Sequence, residues 1–262
     1  MPEQLYRRFA TVYDRMGADR FSAEMAEYTI RIVRKFDITV TDALDLCCGT
    51  GTALQIFHRR GWRLAGIDQS PEMLAVAGRK LARARIDLYR RELPSFSIPL
   101  PGDDDIGRGF DLVTSFYDSL NYMLTKRALT GAFRSVYKHL KPGGWFVFDM
   151  NTAEALKTLW AGQVYADVLD DLAWVWKNRY DEKKRTADCA ATFFVRKGSH
   201  WERFTEVHTE RAYPNSEIKA MLRAAGFMVR GFYRCFSFEP PTRHAYRICA
   251  VAQRPVRSRR GR

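Results

Sequence analysis

Residues 45–54, DLCCGTGTAL, join a short apolar segment to a predicted helix and contain the glycines Gly49 and Gly51. Glycines in such a turn let a ligand approach the backbone closely. A dinucleotide fingerprint, G-x-G-x-x-G, requires a third glycine beneath the pyrophosphate, but Leu54 occupies that position. The segment also lacks the G-K-[ST] sequence of a phosphate-binding loop. It therefore predicts a ligand held close to the backbone without the features that bind a phosphate.

Strands and helices alternate around this segment, which predicts an α/β fold. The helix after residue 70 has the strongest start signal, with Ser70 at the N-cap and Pro71 at the first helical position. Such alternation is typical of a parallel sheet covered by helices on both faces, whose ligand lies beyond the carboxyl ends of the strands. We predict strands at 41–47, 62–68, 86–93, 110–116 and 145–150, and helices at 3–16, 21–36, 52–61, 70–84 and 125–140.

The pattern changes after residue 163. Alternating segments rich in aromatic and β-branched residues, joined by polar turns, predict a small inserted antiparallel sheet. A helix at 215–226, capped by Asn215 or Ser216, and two further strands then follow. We expect four parts: an N-terminal helical cap at 1–36, a main domain at 37–162 and 214–254, an inserted lid at 163–213, and a mobile basic tail at 255–262.

An acidic residue ends the second predicted strand. Asp68 follows Gly49 by nineteen residues. A carboxylate at this position can accept hydrogen bonds from both hydroxyls of a ribose. Recognition of ribose without pyrophosphate indicates an adenosine that carries a small polar group.

Four segments together resemble the motifs of class I S-adenosylmethionine-dependent methyltransferases. They are LDLCCGTGTA (44–53), GIDQSPEML (66–74), FDLVTSFYDSLNYM (110–123) and LKPGGWFVFDM (140–150). The resemblance implies a Rossmann-like, seven-stranded sheet and S-adenosyl-L-methionine as the cofactor. The segment YDSLNY, the inserted sheet and the terminal AAGF further resemble a bacterial subgroup that methylates small molecules and includes sugar-amine N-methyltransferases. A methyl group transferred to N or O of a small-molecule acceptor is therefore the expected reaction.

The resemblance also implies roles for individual residues near the cofactor. Asp68 corresponds to the ribose-binding acid, and Asp45 is expected either to anchor the first loop or to receive the cofactor ammonium through water. Tyr13 is expected to close over the sulfonium, and Glu92 stands where the family has an aspartate near the adenine. The full cofactor set is Tyr13, Asp45, Gly49, Gly51, Asp68, Gln69, Met73, Glu92, Ser115 and Phe116.

Candidate catalytic groups cluster after the fourth predicted strand. Methyl transfer from a cation to a neutral nucleophile gains mainly from alignment and desolvation, and a base helps where the nucleophile is protonated. The alternation of Glu206, His208 and Glu210 puts all three on one face of a lid strand. The candidates are Tyr117, Asp118, Asn121, Tyr122 and His208.

Composition limits the remaining possibilities. No apolar run is long enough to span a membrane, and the N-terminus lacks the apolar centre of a signal peptide, so we expect a cytoplasmic protein, monomeric or homodimeric. The adjacent pair Cys47 and Cys48 has the wrong spacing for zinc, and we expect no metal. The net charge of +13 leaves RNA or DNA as an alternative acceptor, although SFYDSL replaces the [DN]-P-P-[YF] motif that holds a flipped base. A cofactor-binding protein without turnover is a further alternative.

Overall fold

The computed structural model describes residues 5–102 and 108–256. The strands in this part of the chain are β1 (Asp42–Leu46), β2 (Arg63–Asp68), β3 (Ile86–Arg90), β4 (Phe110–Ser115), β5 (Leu140–Asn151), β6 (Val164–Leu169), β7 (Leu172–Asp181), β8 (Thr186–Lys197), β9 (His200–Arg211), β10 (Met228–Arg234) and β11 (Arg247–Gln253). The helices are α1 (Arg20–Lys35), α2 (Thr52–His58), α3 (Pro71–Lys80), α4 (Lys126–His139), α5 (Ala153–Ala155) and α6 (Asn215–Ala224).

Seven strands form the main sheet in the order β10-β11-β5-β4-β1-β2-β3. The strands β1 to β5 run parallel, and β11 lies antiparallel between β5 and β10. The chain moves outward from β1 to β2 and β3, then returns to β4 on the other side of β1. Open α/β sheets bind ligands at such a reversal, beyond the carboxyl ends of the strands. The seven-stranded architecture expected from the sequence is confirmed.

The helices cover both faces of this sheet. On one face α4 and α6 pack around Phe133, Phe146 and Phe148, and on the other face α1 and α2 pack through residues such as Met25 and Phe57. Both layers bury apolar side chains completely, which is the main stabilising contribution to an α/β fold.

The sequence predicted the capping residue of α3 correctly and that of α6 wrongly. The Ser70 hydroxyl accepts a hydrogen bond from the Met73 N–H at the start of α3, as predicted. The predicted cap of α6 is wrong: Pro214 holds the N-cap position, and no side chain caps that helix. Proline supplies a fixed φ there but no hydrogen-bonding side-chain group.

The predicted helix at 3–16 is also wrong. From residue 5 onward this segment consists of turns, with one short 3-10 helix at Phe9–Thr11. Tyr6 has a left-handed φ of 60°. The N–H groups of Tyr6, Arg8 and Phe9 are bonded to Glu206 of the second sheet instead of to helical carbonyls. Apolar spacing therefore identified the buried side of the segment but not its backbone conformation.

The second sheet contains β6, β7, β8 and β9 in antiparallel order and corresponds to the predicted insert. Side chains on its inner face alternate with outward-facing ones, as the pleat requires. Phe193 and Phe204 on that face form an apolar cluster with Phe9 and Val12 of the N-terminal segment. The insert is thus packed against the segment that precedes α1.

The structure also bears on the cysteines, on metal binding and on membrane-spanning helices. All five cysteines are free thiols. Within residues 5–102 and 108–256, no group of three or more His, Cys, Asp or Glu side chains could hold a metal ion, and no helix is long and apolar enough to cross a membrane. Most of the predicted basic tail, from residue 257, lies outside the described residues.

Gly66 in the middle of β2 is fixed by packing. A Cβ there would lie 2.7 Å from Leu54 Cδ1 and 2.9 Å from Cys48 Sγ. We expect G66A to lower the free energy of unfolding by about 1–3 kcal/mol through overpacking, measured by urea unfolding. Gly78 in α3 has nothing within 4 Å of the same position, so the control G78A should raise stability by about 0.5–1 kcal/mol. Equal effects of the two variants would contradict this account.

Candidate active site

The loop after β1 is shaped by left-handed backbone conformations. Cys47, Gly49 and Gly51 have φ angles of 53°, 52° and 78°. A Cβ on Gly51 would lie 2.9 Å from Leu81 Cδ1, whereas the space beside Gly49 is open. Gly51 therefore serves the packing of the loop against α3, and Gly49 leaves the backbone accessible from the carboxyl end of β1.

Asp68 at the end of β2 connects this loop to the start of α3. Its Oδ2 accepts a hydrogen bond from the Gly49 N–H at 2.9 Å, and its Oδ1 accepts one from the Ser70 N–H at 2.9 Å. Burial raises the pKa of Asp68, and the bonds to Ser70 and Gly49 oppose that rise. Each carboxylate oxygen has further acceptor capacity, so the side chain can still bind hydroxyl groups.

A cavity of about 270 Å³, which we call the first cavity, lies over these strand ends. Seven of the predicted cofactor residues line it: Tyr13, Gly49, Asp68, Gln69, Met73, Glu92 and Phe116. Leu93 lines it beside Glu92, so these two neighbouring residues face the same space. Asp45, Gly51 and Ser115 do not line the first cavity.

Asp45 lies below the loop and not at the cavity surface. Its Oδ1 accepts a hydrogen bond of 2.6 Å from the Thr114 hydroxyl of β4. Burial raises the pKa of this carboxyl to about 7. This bond joins the end of β1 to β4 directly before the loop, at a buried position away from the first cavity. Ser115 is buried, and its hydroxyl has no hydrogen-bond partner among the described residues.

The N-terminal segment, residues 5–18, crosses above the first cavity. Glu206 of β9 holds it through three backbone N–H groups: Oε2 accepts from Tyr6 at 2.7 Å, and Oε1 accepts from Arg8 and Phe9 at 3.0 Å each. The Tyr6 carbonyl accepts a hydrogen bond of 3.0 Å from the Ser70 hydroxyl. Tyr6 is thus fixed between the lid and the main sheet, and its side chain and that of Tyr13 line the cavity.

A second cavity, of about 410 Å³, lies between the N-terminal segment and the inner face of the lid. Its walls include the aromatic side chains of Tyr165, Trp160, Trp174 and Trp176. Polar residues line it as well, among them Asp118, Asn151, Asn178, His208, Glu210 and Arg247. The two cavities share four lining residues, all tyrosines: Tyr6, Tyr13, Tyr117 and Tyr122.

A chain of hydrogen bonds runs through this junction. The Tyr6 and Tyr122 hydroxyls are 2.6 Å apart, and the Tyr122 hydroxyl lies 2.9 Å from His208 Nδ1. Burial lowers the pKa of His208 to about 4, so its imidazole is neutral at pH 7. Its Nε2 lies 3.8 Å from Glu206 Oε2 and has no hydrogen-bond partner in the described part of the chain.

The chain that forms these cavities is similar to known proteins in sequence and in structure. A methyltransferase domain model matches residues 43–144. The chain is 29% identical to the putative methyltransferase YqeM of Bacillus subtilis over 254 residues, which cover 95% of this chain and 97% of that protein. It also superposes on the crystal structure of an S-adenosylmethionine-dependent methyltransferase from Clostridium acetobutylicum with a TM-score of 0.82 and 27% identity, covering 96% of this chain and 100% of that one.

Residues 43–144 thus match a methyltransferase domain, and the chain as a whole is similar in sequence and fold to S-adenosylmethionine-dependent methyltransferases. A further relative of this methyltransferase is the dTDP-3-amino-3,4,6-trideoxy-alpha-D-glucopyranose N,N-dimethyltransferase of Streptomyces venezuelae. The two are 27% identical over 237 residues, which cover 84% of this chain and 90% of that enzyme.

The first cavity fits the cofactor of this methyltransferase family. The open space beside Gly49 allows a ligand to reach the backbone, and Asp68 presents a buried carboxylate in the same cavity. Leu54, where a dinucleotide loop has its third glycine, is fully buried and fills the space that Gly66 leaves in β2. The methyltransferase loop is therefore built for close approach to the backbone without pyrophosphate binding.

The predicted catalytic residues of the methyltransferase separate into two groups. Tyr117, Asp118, Tyr122 and His208 line the second cavity. Asn121 lines neither cavity, because its amide bonds the Asn151 backbone and the Arg211 carbonyl. Its position gives Asn121 a structural role in joining the loop after β4 to β5 and to the lid.

Sequence reasoning missed most of the charged network beside the second cavity. Arg247 of β11 forms ion pairs with Asp118, at 2.8 Å, and with Asp149. Asp149 also accepts the N–H groups of Tyr117 and Asp118, which both have left-handed φ angles. No motif marks Arg247, because its partners Asp118 and Asp149 lie far away in the sequence. Two signals pointed to this region: the candidates Tyr117, Asp118 and Tyr122 after β4, and the alternation of acidic residues with His208 on β9.

The contact between Glu206 and the N-terminal segment can be tested by hydrogen exchange. In E206A the N–H groups of Tyr6, Arg8 and Phe9 lose their acceptor, and we expect their exchange to become faster by roughly tenfold or more. The control is E202A on the same strand, which removes only an exposed ion pair with Arg8 and should change exchange little. Unchanged exchange in E206A would rule out the contact as the anchor of the segment.

Burial of Asp45 predicts a pH-dependent stability. Between about pH 4 and pH 7, Asp45 is ionised in the unfolded chain but keeps its proton in the folded one. As the pH rises through this range, the free energy of unfolding therefore falls by up to about 1.4 kcal/mol per pH unit. Above pH 7 both states are ionised, and the contribution is constant. Urea unfolding of the wild type and D45N should therefore show a wild-type stability that declines relative to D45N up to about pH 7 and then stays level. A difference independent of pH would contradict the prediction.

Proposed function

We propose that this methyltransferase transfers a methyl group from S-adenosylmethionine to an amine nitrogen of a small molecule. The observation that carries the proposal is the junction of two cavities at Tyr6, Tyr13, Tyr117 and Tyr122. One cavity has the loop geometry of the cofactor site, and the other is enclosed by the aromatic inner face of the lid. Methyl transfer requires two reactants in contact and shielded from water, which such a junction provides.

On the cofactor side, each group has a defined task in the proposal. Asp68 accepts the ribose hydroxyls, Gly49 lets the amino-acid part approach the backbone, and Met73 and Gln69 flank the adenosine. Glu92 or the neighbouring Leu93 backbone faces the adenine amino group. The bound cofactor supplies an electrophilic methyl group on a sulfonium ion. The rings and hydroxyls of Tyr6 and Tyr13 stabilise that positive charge and exclude water.

On the acceptor side, the chemistry of the second cavity favours an amine. Trp160, Trp174 and Trp176 provide ring faces for a sugar-sized or similarly cyclic body, and aromatic faces also attract cations. Carboxyl groups of Asp118 and Glu210 lie in the same wall. The Streptomyces venezuelae relative, whose name is that of an amino-sugar N,N-dimethyltransferase, supports a nitrogen acceptor.

Tyr122, His208 and Tyr117 align the nucleophile in this proposal. His208 is neutral, so its Nε2 can hydrogen-bond an acceptor group without repelling the cationic methyl donor. The Tyr122 hydroxyl bonded to Nδ1 orients the imidazole. Alignment and desolvation then contribute most of the acceleration.

We also propose the four-part division of the chain expected from the sequence, with the second sheet as a lid. The separate hydrogen bonding of the two sheets supports that division. The cytoplasmic location and the choice between monomer and homodimer stay predictions.

Calorimetric titration with S-adenosylmethionine and with its demethylated product tests the cofactor site. We expect both to bind, and we expect D68N to weaken binding by roughly tenfold to a hundredfold, because hydrogen bonds to a charged group are lost. The control D87N changes an exposed carboxylate on the adjacent strand β3 and should bind normally. Absence of binding at millimolar concentrations, or unchanged affinity in D68N, would refute the assignment.

The acceptor class can be tested with pairs of cyclic compounds, of which one carries an amine and the other a hydroxyl group at the same place. Mass spectrometry of the reaction mixtures shows which compound of each pair is methylated. We expect methylated amines and unmodified alcohols. Methylation of alcohols alone would refute the nitrogen acceptor. Tight cofactor binding without methylation of any compound would favour a cofactor-binding protein without turnover.

A further inference from the structure

The second cavity contains a carboxyl pair that the cofactor site does not use. Asp118, in the loop after β4, and Glu210, on β9, are both buried, with 7% and 2% of their surface exposed. The Asn151 side-chain amide bridges them, donating to Asp118 Oδ2 and to Glu210 Oε2 at 2.9 Å each. Two elements that lie far apart in the sequence therefore bring two acidic groups to one point of the cavity wall.

The charges around this pair do not balance. Arg247 is the only arginine or lysine among the described residues that line the cavity, and it is bonded to both Asp118 and Asp149. Burial raises the pKa of Glu210 well above its usual range, and the charge of Asp118 raises it further. The Glu210 carboxyl therefore holds its proton more tightly than an exposed glutamate does, and its hydrogen bond with Asp118 acts in the same direction. The other titratable groups near Glu210 are Tyr6, Tyr117, Tyr122, Cys189 and, on its own strand, His208.

Independent features of the same cavity indicate a ligand. His208, which is 5% exposed, and Trp176 line it, and the His208 Nε2 and Trp176 Nε1 atoms are buried without a hydrogen-bond partner among the described residues. Buried polar atoms without partners are costly, and a bound molecule can supply the missing bonds. Trp160 and Trp174 add ring faces that attract a cation.

The geometry points to an ammonium site at Asp118 and Glu210, which binds the acceptor as a protonated amine and then removes the proton that blocks its lone pair. This inference rests on the proposed function, because it assigns the way in which that reaction selects and prepares its acceptor. Glu210 is a catalytic residue in this inference, although it lies outside the four cofactor motifs. Acceptors with a phosphate or carboxylate at this position are excluded by charge.

The proton balance of the step has three parts. When the ammonium ion binds, Glu210 releases its proton to solvent, and the cation lies between two carboxylates. One carboxylate next takes a proton from the ammonium ion, which leaves a neutral amine and a carboxylic acid. The lone pair of the amine then forms the new N–C bond as the C–S bond of the methyl donor breaks, and the secondary ammonium product keeps the charge. In a cavity of low dielectric, the transfer that converts an ion pair into two neutral groups is favoured.

Two ring compounds of similar shape test the site in the full chain. With the demethylated cofactor product saturating the first cavity, calorimetry at pH 7.5 compares cyclohexylammonium with cyclohexanol. We expect the cation to bind at least tenfold more tightly. Repeating the titration in phosphate and in HEPES, whose ionisation enthalpies differ and neither of which is a primary amine, measures the protons released. We expect release of up to one proton per bound cation in the wild type.

The variant E210Q keeps the size of the side chain and can still bond Asn151 and Asp118, but it has no proton to release. We expect cation binding without proton release in E210Q, and wild-type behaviour in the control E202Q on the exposed part of the same strand. Equal affinity for the two ring compounds, absence of cation binding, or proton release that persists in E210Q would overturn the ammonium site. Binding of the demethylated cofactor product, measured in the same samples, reports folding and tests the cofactor assignment separately.

Discussion

The carboxylate of Glu206 holds the backbone of the N-terminal segment, and both cavities depend on that contact. Three N–H groups of residues 6–9 point to one buried acid on the lid. Hydrogen bonds to an ionised acceptor are stronger than those between neutral groups, so a short irregular segment can be kept in place without regular secondary structure. Tyr6 and Tyr13 consequently stand at a fixed position between the first and the second cavity.

A second set of polar contacts fastens the other end of this segment to the main sheet. Lys80 of α3 pairs with Asp14 at 2.8 Å and donates to the Thr50 and Thr52 hydroxyls of the loop after β1. Thr50 in turn donates to Asp14 at 2.6 Å. The loop after β1, α3 and the N-terminal segment therefore form one hydrogen-bonded network. A displacement of the segment would break bonds that the loop shares with it.

The sequence predicted the main sheet well because its signals are local. Glycine turns, the Ser70 cap and the acid at Asp68 all act within a few residues of where they stand, and four such motifs in the right order identify the fold. The N-terminal segment was mispredicted because its conformation depends on Glu206, two hundred residues away. Arg247 and its ion pairs with Asp118 and Asp149 were missed for the same reason. Long-range polar contacts leave no periodicity in a sequence, and such contacts hold the charged residues beside the second cavity.

Leu54 and Gly66 show how packing beneath a loop limits the residue types at two positions at once. The side chain of Leu54 occupies the volume that a Cβ at residue 66 would need. The two positions therefore share one space between α2 and β2. In evolutionary terms they form a coupled pair: we expect relatives with a smaller residue at the first position to tolerate alanine or serine at the second. Covariation between these two sites would then report the volume available beneath the loop.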